Sequence, residues 1–220
     1  MKKITILLLV FTMLLSLVRC KKPDQGGIVT PDEPSPEVKG YLVENEDYID
    51  LKGLWGVELY NTGCARNGYF DSPKPLDDLL RCGNRIYPLA TDDAHLLRDC
   101  FGGFVMVIAD ELKYDSIFTA LRKGDFYASV GPEIHEISIE DGVVRLRTSP
   151  AAFACVSTDC RQLYAKAAEG ELATEFSFDI NWYFELSKNK TNEHQYIRIT
   201  VRDQYGNEAY SRAYFMDELL

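Results

Sequence analysis

The sequence predicts an α/β unit followed by an all-β, sandwich-like unit. Three observations carry this. Between residues 39 and 132, short apolar runs alternate with stretches of helical spacing, the signature of parallel strands with covering helices. From Phe176 to Phe184 apolar and polar residues alternate with period two, the pattern of a half-buried strand. Further on, Asp203-Gln204-Tyr205-Gly206-Asn207 separates two more apolar runs, as a hairpin turn does.

Taken in order, the chain opens with the basic pair Lys2-Lys3 and an apolar run from Ile4 to Val18. That length suits a signal h-region and is short for a membrane span. Leu17-Val18-Arg19-Cys20 resembles a bacterial lipobox with Cys20 as the lipidated residue, although Arg19 stands where a small residue is usual. Residues 1–20 are therefore expected to be an export segment. A processed lipoprotein, an uncleaved N-terminal anchor and other processing all remain open. Residues 21–38 hold Pro23, Pro31, Pro34 and Pro36 with Gly26-Gly27 and no aromatic residue, which reads as a linker. The expected location is the cell envelope, with membrane attachment through the N-terminus.

In residues 39–132, Leu54–Tyr60, Arg85–Ala90 and Phe104–Ile108 read as buried strands, and Leu76–Arg81 as a helix. Tyr114–Lys123 is the clearest helix. Ile117, Phe118 and Leu121 share a face, Asp115 lies in the first turn, Arg122-Lys123 in the last, and Gly124 follows as a stop. Phe126–Ala128 resumes extended structure. In residues 133–220, Val143–Thr148, Phe153–Ser157, Phe176–Phe184 and Ile197–Val201 read as antiparallel strands. Ile197, Ile199 and Val201 alternate there with Arg198, Thr200 and Arg202.

Charge narrows the partners. The formal net charge is -10, and the first twenty residues contain no acid, so the remainder is more acidic still. Such a surface repels nucleic acid, and none is expected as a partner. A phosphorylated small molecule would need a local cation, most simply a bound metal. Nucleotide and nucleophile motifs are absent: there is no P-loop and no G-x-G-x-x-G, and Ser129 in Ala-Ser-Val-Gly is not a nucleophile elbow.

Chemistry concentrates in Tyr87-Pro88-Leu89-Ala90-Thr91-Asp92-Asp93-Ala94-His95. A buried strand ends there in an Asp-x-His pair. Strand ends at the C-terminal edge of a parallel sheet are where α/β folds place their sites. A carboxylate and an imidazole two residues apart can both turn toward one cation. Asp92-Asp93 could equally cap a following helix.

The run Gly53–Cys64, the Thr91–His95 stretch, Phe101-Gly102-Gly103-Phe104 and Ala120–Pro132 together resemble the C-terminal half of the polymerase and histidinol phosphatase (PHP) family of metal-dependent phosphoesterases. Tyr196–Leu220 is similar to a β domain appended in some members. The resemblance covers roughly residues 40–220. It implies a distorted α/β barrel, here partial, holding two or three divalent ions (zinc, manganese or iron) that bind phosphate and activate water. By position, Asp93 and His95 match the family's last two metal ligands. Glu58, Asn61 and Asp92 would line the pocket, or form a surface turn.

The family's opening His-x-His is missing: the three histidines are His95, His135 and His194. Neither His135 nor His194 sits in a His-x-His pair, and His194 is expected in solvent. Three readings follow. A complementing chain or second copy supplies the missing ligands, or the homologue is truncated and inactive, or it is a non-catalytic envelope lipoprotein that binds a ligand or protein through its β domain. Trp182, Tyr183, Tyr205, Tyr210 and Tyr214 could form a binding platform, although aromatic residues at period two are more often core. A parallel sheet short of strands is also expected to leave an open edge, making the chain unstable or oligomeric.

Overall fold

The computed structural model describes residues 4–8, 45–68, 73–189 and 194–220. Cys20 and the linker at 21–38 lie outside them. No helix among the described residues is long and apolar enough to cross a membrane.

The first elements are strand β1 (Ile4–Leu8), the short helix α1 (Asn45–Tyr48), strand β2 (Gly56–Asn61) and helix α2 (Thr62–Arg66). Helix α3 (Lys74–Arg81) carries Pro75 in its first turn, where the missing N–H has no helical partner anyway. It buries Leu76, Leu79 and Leu80. Strand β3 (Tyr87–Thr91) lies parallel to β2, with Gly56 opposite Tyr87 and Asn61 opposite Thr91. Parallel pairing among the described residues is confined to these two strands.

Strand β4 (Phe104–Ala109) and helix α4 (Tyr114–Lys123) follow. Gly124, at φ 73, stops α4 in the left-handed conformation. Ile108 N then donates to Asp125 O at 2.8 Å. Strand β5 (Phe126–Ser129) thus starts beside the end of β4 and must run back, so the pair is antiparallel. This corrects the expectation that 104–108 extends the parallel layer. On α4, Ala120 is buried and Ile117 and Leu121 pack inward. Phe118 instead faces out, stacked on Tyr114 at 5.6 Å with Arg122 over its ring.

The remaining strands are β6 (Ile134–Glu140), β7 (Val143–Ala151), β8 (Phe153–Thr158), β9 (Gln162–Lys166) and β10 (Ala173–Asp179). Helix α5 (Asn181–Asn189) comes next. Then come β11 (Tyr196–Arg202), β12 (Glu208–Ser211), β13 (Tyr214–Phe215) and the terminal turn α6 (Met216–Leu219). The expected strand to Phe184 therefore ends early. Asp179 Oδ1 accepts from Asn181 N at 3.0 Å, which starts a helix. Tyr183 and Ser187, four apart, are then its buried residues.

Two antiparallel sheets result. The larger runs β1-β4-β5-β12-β11-β8-β9, with β13 also on β11; the smaller runs β10-β7-β6. Val144, Leu146, Phe176 and Phe178 of the small sheet pack on Val156, Ile197, Ile199 and Val201 of the large one. This face-to-face pair is the expected sandwich. The large sheet runs continuously across residue 132, because β4 and β5 belong to it. Its other face is covered by α3 and the β2–β3 pair, through Leu59, Leu76, Leu79 and Leu80 against Tyr196, Tyr210 and Phe215.

Being covered on both faces changes β11. Residues Tyr196 to Val201 are all buried, so Arg198 and Thr200 point into the protein as well. Arg198 is met there by Asp77 of α3. Its Nε and Nη2 donate to the two carboxylate oxygens at 2.6 and 2.7 Å, and its Nη1 to Thr200 Oγ1 at 2.9 Å.

Candidate functional site

The parallel register of β2 and β3 brings their C-terminal ends together, and Glu58, Asn61, Asp92, Asp93 and His95 lie at or just beyond them. Glu58 and Asn61 are tied into the scaffold. Asn61 Nδ2 donates to Glu58 Oε2 at 3.2 Å, and the Thr91 hydroxyl donates to Glu58 Oε1. Asn61 Oδ1 also accepts from Cys64 N at 2.9 Å, capping α2. Both residues hold the strand ends in place, and Asn61 is buried.

Asp92 is the most heavily bonded carboxylate of the region. Its Oδ1 accepts from Thr62 Oγ1 at 2.6 Å, Gly102 N at 2.9 Å and Gly103 N at 2.8 Å. Its Oδ2 accepts from Phe101 N at 2.7 Å. Three consecutive backbone N–H groups thus converge on one side chain. The loop can approach so closely only because it lacks side chains there. A Cβ on Gly102 would lie 2.2 Å from Thr62 Oγ1, and one on Gly103 would lie 2.6 Å from Thr91 O. Asp92 closes the base of a loop spanning residues 92–103.

Asp93 and His95 lie on that loop, both exposed. Asp93 takes a left-handed backbone at φ 49. The Asp93 carbonyl oxygen is 2.8 Å from His95 Nδ1. A neutral imidazole that donates through Nδ1 keeps its lone pair on Nε2, the form in which histidine binds metal. The loop's middle is pinned by Asp99, whose Oδ2 accepts from His95 N at 3.2 Å and Leu96 N at 2.9 Å. Asp99 Oδ1 pairs with Arg66 Nη1 at 3.0 Å, while Arg66 Nη2 donates to Arg98 O at 2.8 Å. The backbone N–H of Leu96, then that of His95 and the charge of Arg66, hold the Asp99 carboxyl below the usual range against slight desolvation.

Among the described residues, no group of three or more His, Cys, Asp or Glu side chains comes together to hold a metal ion. Asp92 is consumed by its four donors, which leaves Asp93 and His95. These two do not make the two- or three-metal centre that the resemblance implies. His135 lies on β6, 3.8 Å from Glu133. His194 was expected in solvent, but it packs half-buried against Gly83, where an added Cβ would lie 2.2 Å from its Nδ1. With Gly83, Arg85 and Asp217 it lines a cleft of about 410 Å³.

Of the five aromatic residues considered as a platform, Tyr183 and Tyr210 are core, and Trp182 and Tyr214 are half-buried. Tyr205 projects from the β11–β12 turn, 80% exposed. The five cysteines among the described residues are free thiols. Sequence reasoning missed Thr62, Arg66 and Asp99. Only Asp99, four residues after His95 and beside Arg98, carries a local hint, that of a side chain closing a turn. Compared with protein-family models, curated proteins and solved structures, the chain matches none.

Proposed function

We propose that this protein is a homologue of the PHP metal-dependent phosphoesterases in which the chain's own residues supply two metal ligands, Asp93 and His95, and that it does not hydrolyse phosphoesters unaided. One observation carries the reading. The parallel strands β2 and β3 end side by side, and the loop beyond them holds His95 with Nδ1 on a backbone oxygen, which leaves Nε2 as the ring atom that would meet a metal. When bound, a divalent ion would supply phosphate binding and water activation. Asp93 and His95 would hold it, Asp92 and Asp99 would fix the loop, and Glu58 and Asn61 would brace the strand ends. The reading also places the protein at the cell envelope, attached through Cys20 or an uncleaved N-terminal anchor.

The test is metal content by elemental mass spectrometry on the full-length chain, beside His95→Ala. Hydrolysis of p-nitrophenyl phosphate is followed with zinc, manganese and iron. The expected result is metal retained by the wild type and lost in the variant, with hydrolysis no faster than the metal alone. No metal in the wild type overturns the ligand assignment. Hydrolysis that is metal-dependent and lost in His95→Ala overturns the statement that the chain is inactive alone.

A further inference from the structure

We propose that the outer edge of β4 is a strand-acceptor site, capped in this structure by the chain's own residues 4–8, and that once vacated it takes an extended, uncharged segment of a partner polypeptide. Strand β1 runs antiparallel to β4, with Ile4 opposite Ala109, Ile6 opposite Val107 and Leu8 opposite Val105. Among the described residues β4 is its one strand neighbour. Antiparallel ladders turn successive residues to alternate sides. Ile108 N donates to Asp125 O on the β5 side, so the backbone N–H and C=O groups of Val105, Val107 and Ala109 face β1. Without β1 these groups lose their partners, and a buried strand cannot leave them unpaired at low cost.

Two features make β1 a displaceable cap. Ile4–Leu8 opens the apolar run that follows Lys2-Lys3, which has the form of a signal h-region. The same residues cannot lie in a membrane, or be cleaved away, and also pair with β4. Residues 9–44, which include the proline-rich stretch 21–38, separate β1 from α1. So long a connection presents β1 to the edge at an effective concentration on the order of millimolar or less, within reach of a competing strand. The edge itself is built to be paired. Sheets guard open edges with charge or proline. The end strands β6, β9 and β10 carry Glu136 and Glu140, Lys166, and Glu175 and Asp179 respectively. Phe104-Val105-Met106-Val107-Ile108-Ala109 has no charge, proline or glycine. Val105, Val107 and Ala109 belong to the core beneath α4, and Met106 to the core between the two sheets. A strand laid on this edge therefore extends two apolar layers at once, and both sets of its alternate side chains must be uncharged. Ile-Thr-Ile-Leu-Leu meets that requirement. Backbone pairing supplies the affinity and the alternate side chains the selectivity.

The experiment follows amide hydrogen exchange of the full-length chain in dilute buffer, beside Ile6→Pro, which removes one β1 N–H from the ladder. In the wild type the Val105, Val107 and Ala109 amides are protected. In Ile6→Pro they exchange at least about tenfold faster, while the Met106 and Ile108 amides, which face β5, are unchanged and report an intact fold. A fluorescent Ile-Thr-Ile-Leu-Leu peptide flanked by lysines binds the variant at least about tenfold more tightly than the wild type and restores the protection. The same peptide with proline at its third position does not bind. Wild-type amides that exchange freely, or that stay protected in Ile6→Pro, overturn the cap. Peptide binding that is equal in both chains, absent from the variant, or indifferent to the peptide's proline overturns the acceptor site. A variant that dimerises in sedimentation velocity and excludes the peptide overturns the assignment of a partner polypeptide and makes a second copy the occupant.

Discussion

Removing Asp77 should be strongly destabilising. Arg198 is 1% exposed and Asp77 8%, and their fork-to-fork contact joins α3 to the centre of the large sheet. Burial alone would lower the Arg198 pKa, but the Asp77 hydrogen bonds and charge outweigh it and the guanidinium stays charged. Asp77→Ala removes two charge-assisted bonds and the acceptor of the Tyr196 hydroxyl, 3.2 Å away. It leaves a cation in the interior without a counter-ion, which costs about 3–5 kcal/mol. For a chain of this size, each kcal/mol lowers Tm by roughly 2–4 °C, so the drop should be roughly 6–20 °C. Replacing both partners with apolar residues, Asp77→Leu with Arg198→Met, should cost about 1 kcal/mol or less. The assay is thermal and urea unfolding of the full-length chain followed by circular dichroism, arranged as a double-mutant cycle. A single-substitution cost below about 1 kcal/mol, or a double variant as unstable as Asp77→Ala, would refute the argument.

Other expectations follow from the same contacts. Asp92→Ala strands three backbone N–H groups and should cost about 2 kcal/mol or more, with amide exchange at Phe101–Gly103 accelerated; unchanged exchange would mean that Asp92 does not hold the loop. Gly103→Ala places a Cβ 2.6 Å from the Thr91 backbone oxygen, a clash with main chain that should cost about 1–3 kcal/mol; an unchanged urea midpoint would argue against so close an approach. Acid should weaken the fold. Asp99 is held below its ordinary value by backbone N–H groups and Asp217 by Arg85; for Asp78, hydrogen bonds from Lys74 and Tyr48 outweigh burial. The unfolded chain then binds more protons near and below about pH 4, so stability present above that range is lost as pH falls through the folded values; a flat profile between about pH 2 and 5 would contradict this. Alkali should act oppositely on Tyr183 and Tyr196, both raised mainly by burial. Their contribution is complete below about pH 10 and declines above it, where the unfolded chain loses protons first; unfolding curves that do not move above that pH would exclude it.

Element type was legible wherever the local pattern was long and unopposed. Tyr114–Lys123 announced its caps, and Ile197–Val201 with Asp203–Asn207 announced a hairpin, because capping and turn chemistry are carried by neighbouring residues. Phe176–Phe184 misled for the same reason. The period-two pattern continues past Ile180, but one Asp179 side chain bonded to Asn181 N redirects the chain into a helix. The loop of residues 92–103 was half legible. Asp93 and His95 stood out by spacing, whereas the functions of Asp92 and Asp99 depend on which amides come back to meet them.

By itself the sequence determined the positions of most strands and helices, the hairpin near the C-terminus, and a complement of only three histidines. All of these rest on contacts within a few residues or on residue counts. Tertiary structure alone decided that β4 and β5 join the C-terminal sheet and that Arg198 points inward to Asp77. It alone decided that Asp92 serves as the anchor of its own loop. The physical reason is the same in each case. A backbone amide, a guanidinium or a strand edge must find a partner once it is buried, and the partner is chosen by packing between segments up to 121 residues apart.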